Sequence, residues 1–275
     1  MIDPGCCRLL RDCPAVGAWN MAVDEMLLQR AQGQAGGTTS ALRFYGWSEP
    51  TLSLGYFQIY ADRKEHQASL PCAAVRRLTG GGAILHDAEL TYSIVLPGAH
   101  PLAAHRDELY QAVHGCLIEA LGLLGVAARM CTAADRTDAA RIEAARQPFL
   151  CFQRRSPGDV LIGRTKVCGS AQRRGAPGTP GHGAVLQHGS LLWRASPAAP
   201  ELPGVADVVA HPIELESLAD LWLGSLSRRM GVAWQEDGLD EKEVSEAKTL
   251  LESRYAEEDW TQNRCRGPRR DQESL

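Results

Sequence analysis

Apolar residues recur at helical spacing through Trp19-Asn20-Met21-Ala22-Val23-Asp24-Glu25-Met26-Leu27-Leu28-Gln29-Arg30, which predicts a helix packed on a sheet and ended by the Gly/Thr-rich stretch 33–40. A short strand-like start precedes it. Residues 41–47 and 50–56 are aromatic and β-branched runs that read as adjacent strands, and 73–78 leads into a glycine turn. Residues 90–96 form the clearest strand pattern, followed by a helix over 106–124 with Leu109, Val113, Cys116, Leu117 and Ala120 on one face. The Ala/Arg/Asp-rich segment 132–147 reads as a short helix or a surface excursion. Residues 158–162 and 166–171 then predict a hairpin across Gly163-Arg164-Thr165, and a Gly/Pro-rich loop at 174–183 leads to a strand at 184–193. After Pro203, residues 215–230 and 242–255 read as two amphipathic helices capping the sheet, and the charged tail is expected to be disordered. With no repeat or linker, the pattern predicts a single α+β domain with its main body over 1–203, helices packed on it over 204–262, and a tail over 263–275.

The 275 residues are 44% hydrophobic and 23% charged, a globular composition able to bury a sizeable core, and the net charge of −4 argues against nucleic acid as a partner. An acid and a proline in the first residues, and the lack of any long uncharged apolar run, lead us to expect a cytoplasmic protein with no membrane partner. Nine cysteines without a C-x-x-C pair argue against a disulfide framework or a structural zinc. Most are expected to be buried small apolar side chains.

One of the nine invites chemistry. Cys151 lies between Leu150 and Phe152, 15 residues before Lys166. An ammonium beside a thiol favours the charged sulfur, so a fold that joins the two has a thiolate nucleophile fit for covalent acyl transfer. Cys168 is the rival, because strand alternation points it to the same side as Lys166. Cys151 is preferred, since a loop nucleophile reaches a bound thioester more freely. Upstream, Arg76-Arg77-Leu78-Thr79-Gly80-Gly81-Gly82-Ala83-Ile84-Leu85-His86-Asp87 places three glycines where backbone can approach a ligand and offer N–H groups to an oxygen. It is not a P-loop, since no Gly-Lys-Ser/Thr follows. His86, His182 and His188 lack partners at ligand spacing, so no metal is expected. Arg173 and Arg174 are a solvated pair or a contact for an acidic carrier.

The arginine–glycine motif resembles the signature of the biotin/lipoate protein ligase and acyltransferase superfamily. Asn20-Met21-Ala22-x-Asp24, residues 50–58, Gly169-Ser170-Ala171-Gln172-Arg173 and Leu186-Gln187-His188-Gly189-Ser190 are similar to further segments of it, in the same order. The last two look most like LipM-type octanoyltransferases. That resemblance implies mixed, mainly antiparallel sheets flanked by helices, with Cys151 as nucleophile and Lys166 as the family's lysine. It implies substrate binding by Arg77, Thr79, Gly80, Gly81, Gly82, His86, Gly169, Ser170, Ala171, Gln172, His188 and Gly189, and no cofactor. Leu52, Leu54, Ala83 and the glycine backbone are candidates for an acyl tunnel. The implied donor is octanoyl-acyl carrier protein. The implied acceptors are lipoyl domains of the glycine cleavage H protein or of 2-oxoacid dehydrogenase complexes. The alternatives are an ATP-dependent lipoate ligase, a lipoyl-domain to lipoyl-domain amidotransferase, and a non-catalytic carrier-binding protein.

Overall fold

Helix α1 (Gly17–Gly33) is apolar on more than one side, and the chain surrounds it. The computed structural model describes residues 6–33, 40–135, 148–175 and 183–264. Strands β1 (Cys6–Arg11), β2 (Ala41–Tyr45), β6 (Glu89–Leu96), β7 (Ala128–Met130), β8 (Val160–Ile162), β9 (Thr165–Arg174), β10 (Val185–Leu192) and β11 (Ala233–Asp237) form an eight-stranded sheet in the order β11-β1-β2-β6-β10-β9-β8-β7. Only the pairs made by β1 are parallel in it. Strands β3 (Thr51–Leu54), β4 (Ala73–Arg76) and β5 (Ile84–His86) make a second sheet, β4-β3-β5. Among the described residues the other α-helices are α2 (Pro101–Ala104), α3 (Arg106–Leu123), α4 (Val205–Val208), α5 (Leu215–Met230), α6 (Glu241–Leu250) and α7 (Glu258–Asn263). Among the described residues no helix is long and apolar enough to cross a membrane.

Two apolar layers sandwich the large sheet. Val23, Met26, Leu27 and Leu28 of α1 cluster with Leu10, Val95 and Leu186 of the sheet and Ala247 of α6. In the larger cluster, α3 and α5 pack on Phe44, Tyr92, Ile94 and Val167. Trp222 of α5 is fully buried there, its ring 5.5 Å from Phe44 and 5.0 Å from Tyr92, its indole N–H donating to the Val113 carbonyl at 3.0 Å. Burial of a large aromatic with its one donor satisfied contributes a few kcal/mol, about 3–5 on truncation to alanine.

The two runs expected to be adjacent strands part company. Gly46 and Trp47 turn the chain back toward Ala15, so β2 stays in the large sheet while β3 starts the small one. The C-terminal helices do more than cap: α6 continues as a π-helical turn over Leu251–Tyr255, and β11 joins the sheet edge parallel to β1. Arg8 locks this arrangement with ion pairs to Asp237 and Glu243, both at 2.6 Å. Of the segments expected at 33–40, 132–147, 174–183 and 263–275, residues 34–39, 136–147, 176–182 and 265–275 lie outside the described ones, as does His182.

The sheets meet where backbone approaches backbone. A β-carbon on Gly55 would stand 2.0 Å from the Gly81 carbonyl oxygen and 3.0 Å from its carbon, and neither can yield without moving the glycine turn. Gly55→Ala is therefore expected to destabilise the fold by about 1–3 kcal/mol, as overpacking does. The check is the midpoint of chemical denaturation at constant slope.

Candidate active site

Arg77 builds the glycine turn from beneath. Its side chain is almost fully buried and its donors are all engaged: Nε–H to Thr79 Oγ1 at 3.1 Å, one Nη to the Ser53 carbonyl and hydroxyl at 2.9 and 3.1 Å, the other to the Gly80 and Gly82 carbonyls at 2.7 Å each. Two buried relays start from it. Thr79 donates to His188 Nε2 at 2.6 Å, and His188 Nδ1–H donates to Asp24 at 3.1 Å. Ser53 donates to His86 Nε2 at 2.7 Å, and His86 Nδ1–H donates to Glu89 at 2.7 Å. Both imidazoles thus link the guanidinium to a buried carboxylate, which limits the cost of taking these charges out of water. Burial pushes the Arg77 pKa down to about 10, against the pull of Cys151, and still leaves a cation at neutral pH.

The turn carries the nucleophile loop with it. Ala83 N–H donates to the Phe149 carbonyl at 3.0 Å, and Cys151 N–H donates to the Ala83 carbonyl at 2.7 Å. Cys151 opens a single 3-10 turn, Cys151–Gln153. Its sulfur lies 3.8 Å from Lys166 Nζ. Lys166 reaches it from β9 across the hairpin to β8, and the ammonium is held by Asp159 at 2.9 Å and by the Cys151 and Arg154 carbonyls at 3.3 and 3.4 Å. Gly169 makes room for this: a β-carbon there would stand 2.7 Å from Lys166 Cε and 3.2 Å from Asp159 Oδ1.

The electrostatics favour a thiolate. Burial alone would push the Cys151 thiol up, but Lys166 first, then Arg77 and Arg154, outweigh it and hold the thiol below its ordinary value. For Lys166 burial works against the ammonium, and the Cys151 sulfur and Asp159 overcome it and raise the pKa. Cys168 is the opposite case. It is sealed in the core beside His114, and burial, then Asp159, drive its thiol far upward.

Cys151 and Lys166 open into a cavity of about 580 Å³. Its walls include Gly80, Gly81, Ser170, Ala171 and Gln172, together with Tyr110, Arg106 and Arg154. Ser170 faces α3, its hydroxyl donating to His114 Nε2 at 2.6 Å. Thr79, Gly82, His86, His188 and Gly189 do not reach this cavity. His86, His188 and Gly189 line a small inner void of about 20 Å³ that shares Ala171 with it. Leu52, Leu54 and Ala83, expected in a tunnel, are instead fully buried with Phe149 and Leu150 behind the turn. Asp159, Arg154 and His114 join the site without having been expected there from the sequence. His114 Nδ1–H donates to the Gly158 carbonyl at 2.5 Å and so fixes the turn, with Gly158 at φ 96°, that presents Asp159. A carboxylate opening one arm of a hairpin whose other arm carries the lysine was the available signal for Asp159.

The model of the lipoyl protein ligase A/B catalytic domain matches residues 17–201, and the chain belongs to that family, within the biotin/lipoate ligase superfamily. Along its length the chain is similar to octanoyltransferase LipM of Symbiobacterium thermophilum, 32% identical with 92% of this chain and 97% of that one covered. The fold is that of a lipoate-protein ligase A bound with ATP (TM-score 0.72, 22% identity, covering 93% of this chain and 98% of that one). It is also that of the bipartite lipoate protein ligase of Thermoplasma acidophilum, described with its E2 lipoyl domain (TM-score 0.69, 21% identity, covering 95% and 98%).

Proposed function

We propose that this octanoyltransferase of lipoate biosynthesis works by a double displacement through a thioester on Cys151, with octanoyl-acyl carrier protein as donor and a lysine of a lipoyl domain as acceptor. The observation that carries the reading is the 3.8 Å approach of a buried ammonium to the Cys151 sulfur where both line the large cavity; Cys131 lines it as well, but burial, then Asp159, push its thiol up. The Cys151 thiolate attacks the octanoyl carbonyl, the bond to the donor sulfur breaks, and Lys166 gives its proton to the departing thiolate. Acylation removes the negative sulfur, the strongest support of the ammonium, so the proton leaves Lys166 as the charge beside it disappears. The acceptor amine then attacks the thioester, Lys166 takes the amine's proton, and Cys151 departs as the thiolate. Atoms and charges return to the starting state. Asp159 holds Lys166 in line through both steps, and His114 holds the Gly158 turn that presents Asp159.

The glycine turn supports the same reaction. Arg77 keeps the exposed Gly81, at φ 94°, beside the sulfur's cavity.

Intact-mass analysis decides between this reading and an ATP-dependent ligase. The wild-type protein mixed with octanoyl-carrier protein is expected to gain one octanoyl group without ATP, and to release no pyrophosphate when given octanoate and ATP. Pyrophosphate release with no adduct would sink the reading.

A further inference from the structure

Two large apolar side chains of one loop stand in solvent, and the first of them, Phe57, lies beside the cavity mouth. Phe57 is 72% exposed and Ile59 64%, yet their loop is not loose. Arg76 donates to the Gly55, Tyr56 and Gln58 carbonyls at 3.0, 3.2 and 2.8 Å, and the Gln58 side chain ties Gly55 N–H to the Phe149 carbonyl at 2.9 and 3.3 Å. Exposed apolar groups on a rigid loop are a pre-organised contact, since little ordering remains to be done on binding. The loop borders the mouth: a β-carbon on Gly80, a wall residue, would lie 3.8 Å from the Phe57 ring.

The rest of this rim is basic, although the chain as a whole is acidic. Phe57 packs edge-on to Tyr56, centroids 5.0 Å apart, and the Arg173 guanidinium lies 5.7 Å from the Tyr56 ring. Arg173 adjoins Gln172 of the cavity wall, and Gln172 in turn donates to the Arg106 carbonyl at 3.0 Å. Arg106 and Arg154 stand at the mouth itself, where Asp107 is the opposing acid and Asp159 is already paired with Lys166.

We propose that Phe57, Ile59, Arg173, Arg106 and Arg154 form the docking surface for the acyl donor, an acidic carrier domain whose thioester hangs from a phosphodiester-linked arm. The proposal rests on the acyl-transfer reading above. Charge points to the donor: it brings an anionic domain and an anionic arm that this basic entrance complements, whereas the acceptor's reacting group is an amine that finds no charge partner in these arginines. The arginines guide encounter and the phosphodiester's approach; Phe57 and Ile59 supply the apolar anchor.

The test compares two octanoyl donors on the full chain. Cys151 acylation is followed by intact mass with octanoyl-carrier protein and with octanoyl-N-acetylcysteamine, a small thioester without carrier or phosphate, for wild type, Arg173→Glu and Phe57→Ser/Ile59→Ser. The carrier-dependent second-order rate is expected to fall about tenfold or more in each variant, with a shallower salt dependence in Arg173→Glu. The small-thioester rate is expected to stay within about twofold. Equal losses with both donors would overturn the surface, because the residues would then serve the cavity. Unchanged carrier rates with slower transfer to a lipoyl domain would also overturn it and give the face to the acceptor. Failure of the wild type to acylate with either donor would overturn the catalytic reading instead.

Discussion

Cys151→Ser abolishes the octanoyl adduct, while Cys168→Ala retains it. A serine hydroxyl in place of the sulfur has no anion to offer at neutral pH, because the charges that hold the thiol below its ordinary value fall far short of ionising an alcohol. The expected loss in octanoyl transfer is about 10³-fold or more, the scale of removing a nucleophile from an otherwise intact site. Cys168 lies closer to Lys166 in sequence, but it is fully buried and its thiol is driven upward. Its replacement is expected to change stability and leave chemistry alone. The checks are intact mass after exposure to octanoyl-carrier protein and transfer of octanoyl to a lipoyl domain. An adduct that persists in Cys151→Ser and disappears in Cys168→Ala would exchange the two roles.

What the sequence made legible follows from how local each cause is. The strand at 90–96, the helix at 106–124 and the helix at 215–230 carry their own periodicity, and each appears as β6, α3 or α5. The separation of β2 from β3 depends on a return contact between Trp47 and Ala15, which nothing between residues 41 and 56 encodes. Strand β11, Ala-Trp-Gln-Glu-Asp, is a mostly exposed edge with little alternation, and its identity comes from pairing with β1 far away in the chain. The site divides in the same way. Lys166 and Asp159 meet across one hairpin, a short-range object, whereas Cys151 is brought to them by a loop paired with Ala83 far back in the chain. His114 acts through a backbone carbonyl 44 residues on, and no spacing rule leads to it. Arg77, Thr79 and His86 form a hydrogen-bonded frame under the glycine turn, and of the same motif Gly80 and Gly81 line the cavity, so the pattern marks the frame and the wall together.

Lys166→Met moves the thiol's ionisation upward and slows transfer at neutral pH by about 10²–10⁴-fold, the range of a positioned acid–base group. In the wild type the folded thiol ionises below its ordinary value, so the thiolate is present from lower pH and the alkylation rate climbs through that lowered value. Without the ammonium, burial remains as a raising influence and Asp159, no longer neutralised, adds a second. Arg77 and Arg154 are the lowering charges that remain at the sulfur. The inflection in iodoacetamide reactivity against pH therefore moves to higher pH. Each unit of movement removes about a factor of ten in thiolate at pH values below both inflections. Raising the pH restores alkylation, since the thiolate is all that step requires. It does not restore octanoyl transfer to the same degree, because the leaving group and the incoming amine have lost their proton carrier. An inflection that stays in place would leave Lys166 as a packing residue, and full recovery of transfer at high pH would confine it to thiolate formation.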